Sequence, residues 1–443
     1  MWLVILLLLS IAFIVLATTK LKLHPFLALL ITAFAFGILS GMPLGEVVES
    51  VNAGFGGTIG YIGIVILAGA IIGSFLEHSG GAYRLATSVL RYTGEKNVPL
   101  AMGGVGFVVS MPVFCDSGFI LLSSLMKALA RKAGITLASC AIALSLGLYA
   151  THTMVPPTPG PVAAAGIIGA DLGLVILWGL AVSIVALLGG WLFAVLVASR
   201  IYISPGEEPP DAPHQEQTMP SAGKSMLPII VPLVLIVMRS IGEMPTKPFG
   251  ENIGVALLSF LGQPVVALMI GVGLALLLPK KLETTMLSTD GWVGQAIVGA
   301  ATIIIITGAG GAFGKVLQNS GIATVIGESL AHANLGIWLP FLIAAGIKTA
   351  QGSSTVAIIT TAGLVAPLLD SLGLGGDTAK ALVVVAIGAG AMVVSHANDS
   401  YFWVVTQFSN MDVKTGYRLQ TLGTLVQGTV AAATVYVFGL AVL

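Results

Sequence analysis

Thr151-His152-Thr153-Met154-Val155-Pro156-Pro157-Thr158-Pro159 interrupts an apolar run that extends from 136 to 169. A helix that crosses a bilayer needs about 20 consecutive apolar residues, and this run reaches that length only if its prolines and polar side chains lie at membrane depth. Broken backbone is tolerated there only where protein or a water-filled cavity satisfies its amides. The stretch therefore predicts a discontinuous helix lining a cavity in an all-α polytopic membrane protein. Three further interruptions resemble it: Met111-Pro112-Val113-Phe114-Cys115-Asp116-Ser117-Gly118, Gln351-Gly352-Ser353-Ser354-Thr355 and Ser395-His396-Ala397-Asn398-Asp399-Ser400. The last cuts the run 379–408 and predicts a second discontinuous helix. The other two divide the apolar stretches 98–133 and 335–370. Arms of about 16 residues would reach roughly 24 Å at 1.5 Å per residue, so re-entrant hairpins are expected in preference to ordinary pairs of spans.

The rest of the chain has the same character. Hydrophobic residues make up 56% and charged ones 9%, with a mean hydropathy of +1.01, against roughly 25% charged in soluble domains. Spans are expected near 2–18, 24–41, 59–77, 136–169 and 173–199, and then near 227–243, 263–279, 294–316, 379–408 and 419–443. No Lys or Arg precedes the run from Trp2 to Thr18, which reads as a retained first helix and not as a secretory signal. The one long polar stretch, Arg200 to Lys224, is rich in Pro and Glu and reads as a solvated linker. It divides the chain into residues 1–199, a cytoplasmic linker at 200–226, and residues 227–443.

The halves share sequence. Gly73-Ser-Phe-Leu76-Glu-His-Ser79-Gly80-Gly-Ala82 matches Gly314-Lys-Val-Leu317-Gln-Asn-Ser320-Gly321-Ile-Ala323 at five of ten positions, where chance gives roughly one. Five crossings separate the matched segments, an odd number, so the copies are expected to be inverted repeats, each of five spans plus one re-entrant hairpin, with one discontinuous helix per repeat. With the loop holding Lys20 and Lys22 in the cytoplasm, fourteen Lys and Arg residues fall inside and five fall elsewhere: Arg239, Lys247, Lys315, Lys348 and Lys380. That bias follows the positive-inside rule and puts both termini outside.

Several function classes are excluded or disfavoured. Nineteen basic and nineteen acidic residues balance, and no basic block points to nucleic acid. Cys115 and Cys140 fit neither a redox nor a metal motif, no His, Cys or Glu cluster has metal-ligand spacing, and no cofactor is expected. No catalytic trio occurs at a credible spacing, so the chain is not expected to be an enzyme. Gly308-Ala-Gly310-Gly311-Ala-Phe-Gly314 lies inside a span with no strand before it, and reads as close helix packing, not a nucleotide loop.

The four breaks carry the chemistry. Helix N-termini converging there offer amide donors and positive dipole ends to an anion. The candidate substrate-binding residues are Asp116, Ser117, Gly118, Thr151, His152, Thr153, Gln351, Gly352, Ser353, Ser354, Thr355, Ser395, His396, Asn398, Asp399 and Ser400. Intramembrane ionisable residues are costly and mark function by default. Asp116 and Asp399 are therefore candidates for the proton; each could instead cap a half-helix or pair with a cation. His152 and His396 stand at matched positions and are alternative proton carriers. Lys348 could meet a substrate carboxylate, snorkel to the interface, or pair with a nearby acid.

At these residues the chain resembles the gluconate permease (GntP) family, within the wider ion-transporter superfamily. The likeness runs over essentially the full length. It is carried most specifically by His24-Pro25-Phe26-Leu27-Ala28-Leu29, Gly308 to Phe313, Ala350-Gln-Gly-Ser-Ser-Thr-Val-Ala357, Ser395 to Ser400 and Val155-Pro-Pro157. The resemblance implies proton-coupled uptake of gluconate or a related sugar acid across the bacterial inner membrane, with elevator motion in a homodimer. Two departures fall at the site: Asp116-Ser117-Gly118 stands where familiar members carry Glu-Val-Gly, and Thr158 where a histidine follows the paired prolines. Glycerate or another short hydroxy acid, sodium coupling, and a passive organic-anion channel are the alternatives.

Overall fold

The computed structural model describes residues 2–93, 97–111, 113–206, 219–242, 249–250, 253–322, 335–396 and 399–442. Among the sequence expectations, those for Pro112, Ala397 and Asn398, for Lys96 and Lys247, and for the middle of the linker lie outside the described residues. The first half contains α1 (Trp2–Thr19), α2 (Pro25–Leu39), α3 (Leu44–His78), α4 (Gly81–Thr93), α5 (Val98–Val109), α6 (Cys115–Ala133), α7 (Leu137–Met154), α8 (Pro159–Ile168) and α9 (Leu172–Leu196). The second contains α10 (Ala222–Gly242), α11 (Ile253–Leu261), α12 (Pro264–Ala275), α13 (Trp292–Asn319), α14 (Trp338–Gln351), α15 (Ser354–Val365), α16 (Asp377–Gly390), α17 (Ser400–Phe408), α18 (Val413–Gly416) and α19 (Leu422–Val442). No strand occurs among the described residues.

The helices sort by what surrounds them. Every residue of α7 is buried, as expected of a helix apolar all round that packs at the centre of a larger bundle. By contrast α9 shows Ile184, Leu188 and Leu192 on its outside, and α19 shows Val437 and Leu440. These apolar side chains suit lipid, which replaces water as the solvent of the outer face.

Around this centre, α3 and α13 form a long antiparallel pair. The Ser74 hydroxyl donates to the Trp292 carbonyl at 3.0 Å at one end, and the Asn319 amide donates to Ser50 Oγ at 2.8 Å at the other. The glycine-rich stretch of α13 explains their closeness. A Cβ on Gly54 would stand 2.5 Å from the Gly311 carbonyl oxygen, and one on Gly310 would stand 2.5 Å from Ile359 of α15. Small residues let helix backbones approach where no hydrophobic effect drives them together.

The chain enters α3 at Leu44, well before the expected span at 59–77, because Glu46, Glu49 and Asn52 lower the apolar signal without stopping the helix. With 35 residues it extends about 52 Å, and it bends by 42° at Tyr61–Gly63. The helix α11 was not expected at all; it meets α12 at 70° across Gly262 and Gln263.

The stretches expected as hairpins are two helix pairs, in which α6 has 19 residues and the other three helices are short. Of these, α5, α14 and α15 hold 12, 14 and 12 residues, or about 18–21 Å each, less than the roughly 30 Å hydrocarbon core. The α5–α6 turn and the α14–α15 turn stand at the ends of these short helices, beside the two long runs that break. The first run stops at Met154 and resumes at Pro159, a proline at the first helical position, where its missing N–H costs nothing. The second stops at Gly390 and resumes at Ser400.

Candidate functional site

At the second tip, Gly352 (φ 88°) closes α14 in the left-handed conformation that glycine tolerates. One residue later α15 begins, with Ser353 Oγ accepting the Val356 amide at 3.3 Å as its N-cap. The sharp reversal places Lys348, one turn before the end of α14, beside its own tip. The ammonium donates to the Gly352 carbonyl and to Asp399 Oδ2, the latter at 2.6 Å. Both side chains are buried, Lys348 at 0% exposure and Asp399 at 5%. The acid and the cation, 51 residues apart, thus form an ion pair that ties the second tip to the second break.

Asp399 is held from all sides. The Tyr401 amide donates to Oδ1 at 3.1 Å, so the carboxylate also caps α17. Ser395 Oγ donates to Oδ2 at 2.5 Å, and the Tyr149 hydroxyl lies 3.5 Å from the same oxygen and 3.1 Å from Ser354 Oγ. The Lys348 ammonium stands 5.9 Å from the centre of the Tyr149 ring. A buried charge is tolerated when paired and hydrogen-bonded, and here both partners are. The two alternatives for Asp399, capping a helix and pairing with a cation, hold together.

Behind the pair stands the last helix. Thr424 Oγ1 accepts the Ser395 amide at 3.0 Å, and Thr421 Oγ1 donates to the Ser395 carbonyl at 2.6 Å. Both threonines therefore hold the backbone of the residue whose hydroxyl holds Asp399. Just before it, Val394 has φ 53°. A β-branched residue in the left-handed region is strained by about 1–3 kcal/mol and persists where its surroundings over-determine it. The wide π-turn Tyr417–Thr421 that leads into α19 aims these threonines, and such turns concentrate at functional sites.

The first break is built differently. Thr151 Oγ1 donates to the Phe107 carbonyl at 2.9 Å, and Thr153 Oγ1 to the Tyr149 carbonyl at 3.2 Å; both hydroxyls serve backbone. His152 is buried, its ring parallel to Tyr149 at 6.4 Å and beside Phe114 at 6.1 Å. Gly118 gives room to Leu148, whose Cδ2 would stand 2.8 Å from an added Cβ. Asp116 and Ser117 lie in the first turn of α6. Phe119, one turn into α6, meets the Tyr401 ring of α17 edge-on at 6.3 Å, which brings the start of α6 beside the second break.

The remaining expected residues surround this cluster. Ser353 is exposed at the second tip, and Thr355, Asp116 and His396 are half-buried. Gln351 ends α14 and Ser400 opens α17. His396 does not sit as His152 does: its Nε2 donates to the Thr349 carbonyl at 2.8 Å, and its ring faces Tyr417 at 6.3 Å. Tyr149, Tyr401, Thr421 and Thr424 are neighbours of Asp399 and Ser395 that the sequence reading does not single out. No group of three His, Cys, Asp or Glu side chains that could hold a metal is found among the described residues.

Known proteins are similar in both sequence and fold. The model of the GntP family permeases matches residues 2–441. The gluconate permease of Pseudomonas aeruginosa is 36% identical, covering 91% of this chain and 90% of its own. The high-affinity gluconate transporter of Escherichia coli K12 is 34% identical over 89% of each chain, and the D-serine transporter DsdX of the same strain is 34% identical over 98% of this chain and 97% of its own. The fold resembles the crystal structure of the Alcanivorax borkumensis YdaH transporter, with a TM-score of 0.67 over 95% of this chain and 99% of that one, at 13% identity. A buried ion pair where tips and breaks converge in a bundle of apolar helices, together with these full-length likenesses, identifies a membrane transporter and not an enzyme: the chain belongs to the GntP family of permeases.

Proposed function

We propose that the chain carries gluconate or a related small hydroxycarboxylate across the inner membrane together with a proton, and that Lys348 and Asp399 couple the two. The observation that carries this reading is the buried ion pair at 2.6 Å. Empty, the pair is neutral. A substrate carboxylate that binds Lys348 displaces Asp399, and an uncompensated buried carboxylate costs about 3–5 kcal/mol. A proton on Asp399 removes that cost, so the loaded site is neutral again. Only the two neutral forms pass easily through an apolar surrounding, which ties one anion to one proton. The hydroxyls of Ser353, Ser354, Thr355 and Tyr149 stand near enough to the tip to meet the substrate's own hydroxyls.

The gluconate transporters among the relatives support the substrate class. DsdX favours a second reading: a small zwitterion such as D-serine would present the same carboxylate to Lys348. The inverted halves at 1–199 and 227–443, the cytoplasmic linker, the external termini, the homodimer and the elevator motion belong to the proposal too. The antiparallel α3–α13 pair supports the inversion, because the matched segments at Gly73 and Gly314 lie at its opposite ends.

Purified protein in liposomes tests the reading. Labelled gluconate should accumulate under an imposed inward proton gradient, and Asp399→Asn should abolish the dependence on that gradient. Uptake driven by sodium alone would refute proton coupling, and accumulation of D-serine but not gluconate would move the substrate to the second reading.

A further inference from the structure

A second polar space lies away from the ion pair. It is an open cavity of about 410 Å³ between the α3–α13 pair and the far ends of α8 and α15, lined among others by Thr58, Lys315, Gln318, Asp370 and Lys380. The half-helices α8 and α15 start at the breaks and tips and end here. The cavity is therefore on the face opposite to Arg84 and Arg131, which donate to the linker carbonyls of Pro220 and Pro205.

Its charges are not those that helix ends alone would require. Lys315 lies near the C-terminus of α13 and donates to Gln318 at 2.9 Å, where a cation offsets the negative end of a helix dipole. Lys380 is the opposite case. It lies in the first turn of α16 together with Asp377, whose carboxylate already offsets the positive end of the helix, so the helix end does not account for a lysine that lines the cavity. Asp370, the carboxylate among the lining residues named, is folded onto its own loop: its Oδ1 would stand 2.1 Å from a Cβ on Gly375. Two lysines and one aspartate thus line the same wet volume, leaving an excess of positive charge.

We propose that this cavity is a vestibule that captures small organic anions, hydroxycarboxylates above all, before they reach the ion pair. The identity of the captured solute rests on the proposed transport function, whereas the attraction of anions does not. A cleft with an excess of one sign of charge and low-dielectric walls concentrates the opposite sign and speeds its arrival.

Two measurements separate these claims. In the first, Gln318→Cys is labelled by two methanethiosulfonates, one bearing a sulfonate and one a trimethylammonium; Cys115 and Cys140 are buried. The sulfonate should react faster, and Lys315→Gln with Lys380→Gln should reduce the rate ratio by about tenfold. Lys→Arg at both positions should retain the ratio, which excludes misfolding as the cause. A ratio unchanged by Lys→Gln overturns the vestibule. In the second, gluconate uptake by the Lys→Gln pair should show KM raised by about tenfold with maximal rate kept, and a weaker dependence on ionic strength. KM and salt dependence identical to those of the unaltered protein overturn the vestibule's role in capture. A normal labelling ratio in a protein that takes up no hydroxy acid leaves the vestibule standing and removes the transport reading instead.

Discussion

The two broken helices have similar outlines and different contents. The first break, after Met154, sets the His152 ring parallel to Tyr149 and beside a tilted Phe114, and turns the hydroxyls of Thr151 and Thr153 onto backbone. The second, around Asp399, concentrates a carboxylate, an ammonium and three hydroxyls within hydrogen-bond reach. The first break is built for shape and the second for charge. A scaffold of paired breaks therefore does not require paired chemistry, and the buried charges gather at one break.

The largest effect tests this division directly. Lys348→Met should destabilise the protein by about 3–5 kcal/mol, because Asp399 is left as an unpaired buried charge, and should lower the thermal midpoint of the purified protein accordingly. Adding Asp399→Asn should restore most of that loss without restoring coupled uptake. His152→Phe in the first break should shift stability by about 1 kcal/mol; a shift as large as that of Lys348→Met would end the distinction between the halves.

Next in size is Thr424→Val, which leaves the Ser395 amide buried without its acceptor and should cost about 1–3 kcal/mol. Since Ser395 in turn holds Asp399, the pH profile of uptake should also move, and Thr424→Ser should return both to normal. Loss of stability with an unmoved pH profile would reduce the last helix to packing. Tyr149→Phe removes a hydroxyl that joins the first half to Ser354 and Asp399, at about 0.5–1.5 kcal/mol per bond lost. It should raise KM for substrate more than it lowers the maximal rate.

The smallest effect lies outside both breaks. Asp412 caps α18, and hydrogen bonds from the Thr415 side chain and amide hold its carboxyl below the usual range. A lowered value in the folded state means that the cap is intact above the unfolded value, near 3.9, and is lost as pH falls through the folded one. Protection of the Thr415 amide from hydrogen exchange should decline only below about pH 4, well apart from any pH dependence of uptake.

Much of this was legible beforehand. The runs that became α1, α2, α9, α13 and α19 announce themselves because a span must be apolar along its length, and the first break because Pro156, Pro157 and Pro159 cannot continue a helix. Asp399 and Lys348 were identifiable singly, being charged where charge is expensive. Their pairing was not: 51 residues separate them, and only the tip reversal at Gly352 brings them together. Tyr149 gave no signal, because an aromatic residue in an apolar helix looks like core until its hydroxyl finds a partner. Thr421 and Thr424 were concealed by the habit of threonine in membrane helices of bonding its own turn.

The neutrality of the Lys348–Asp399 pair extends beyond the site. A moving unit that is uncharged both empty and fully loaded transfers no net charge through the membrane field, although each charge that did cross would gain or lose about 2.3 kcal/mol per 100 mV. If one anion moves with one proton, as proposed, uptake draws on the pH difference and is indifferent to voltage. On that proposal, a cell that kept its membrane potential and lost its pH gradient would accumulate no substrate, whereas one in acidic surroundings would accumulate the most.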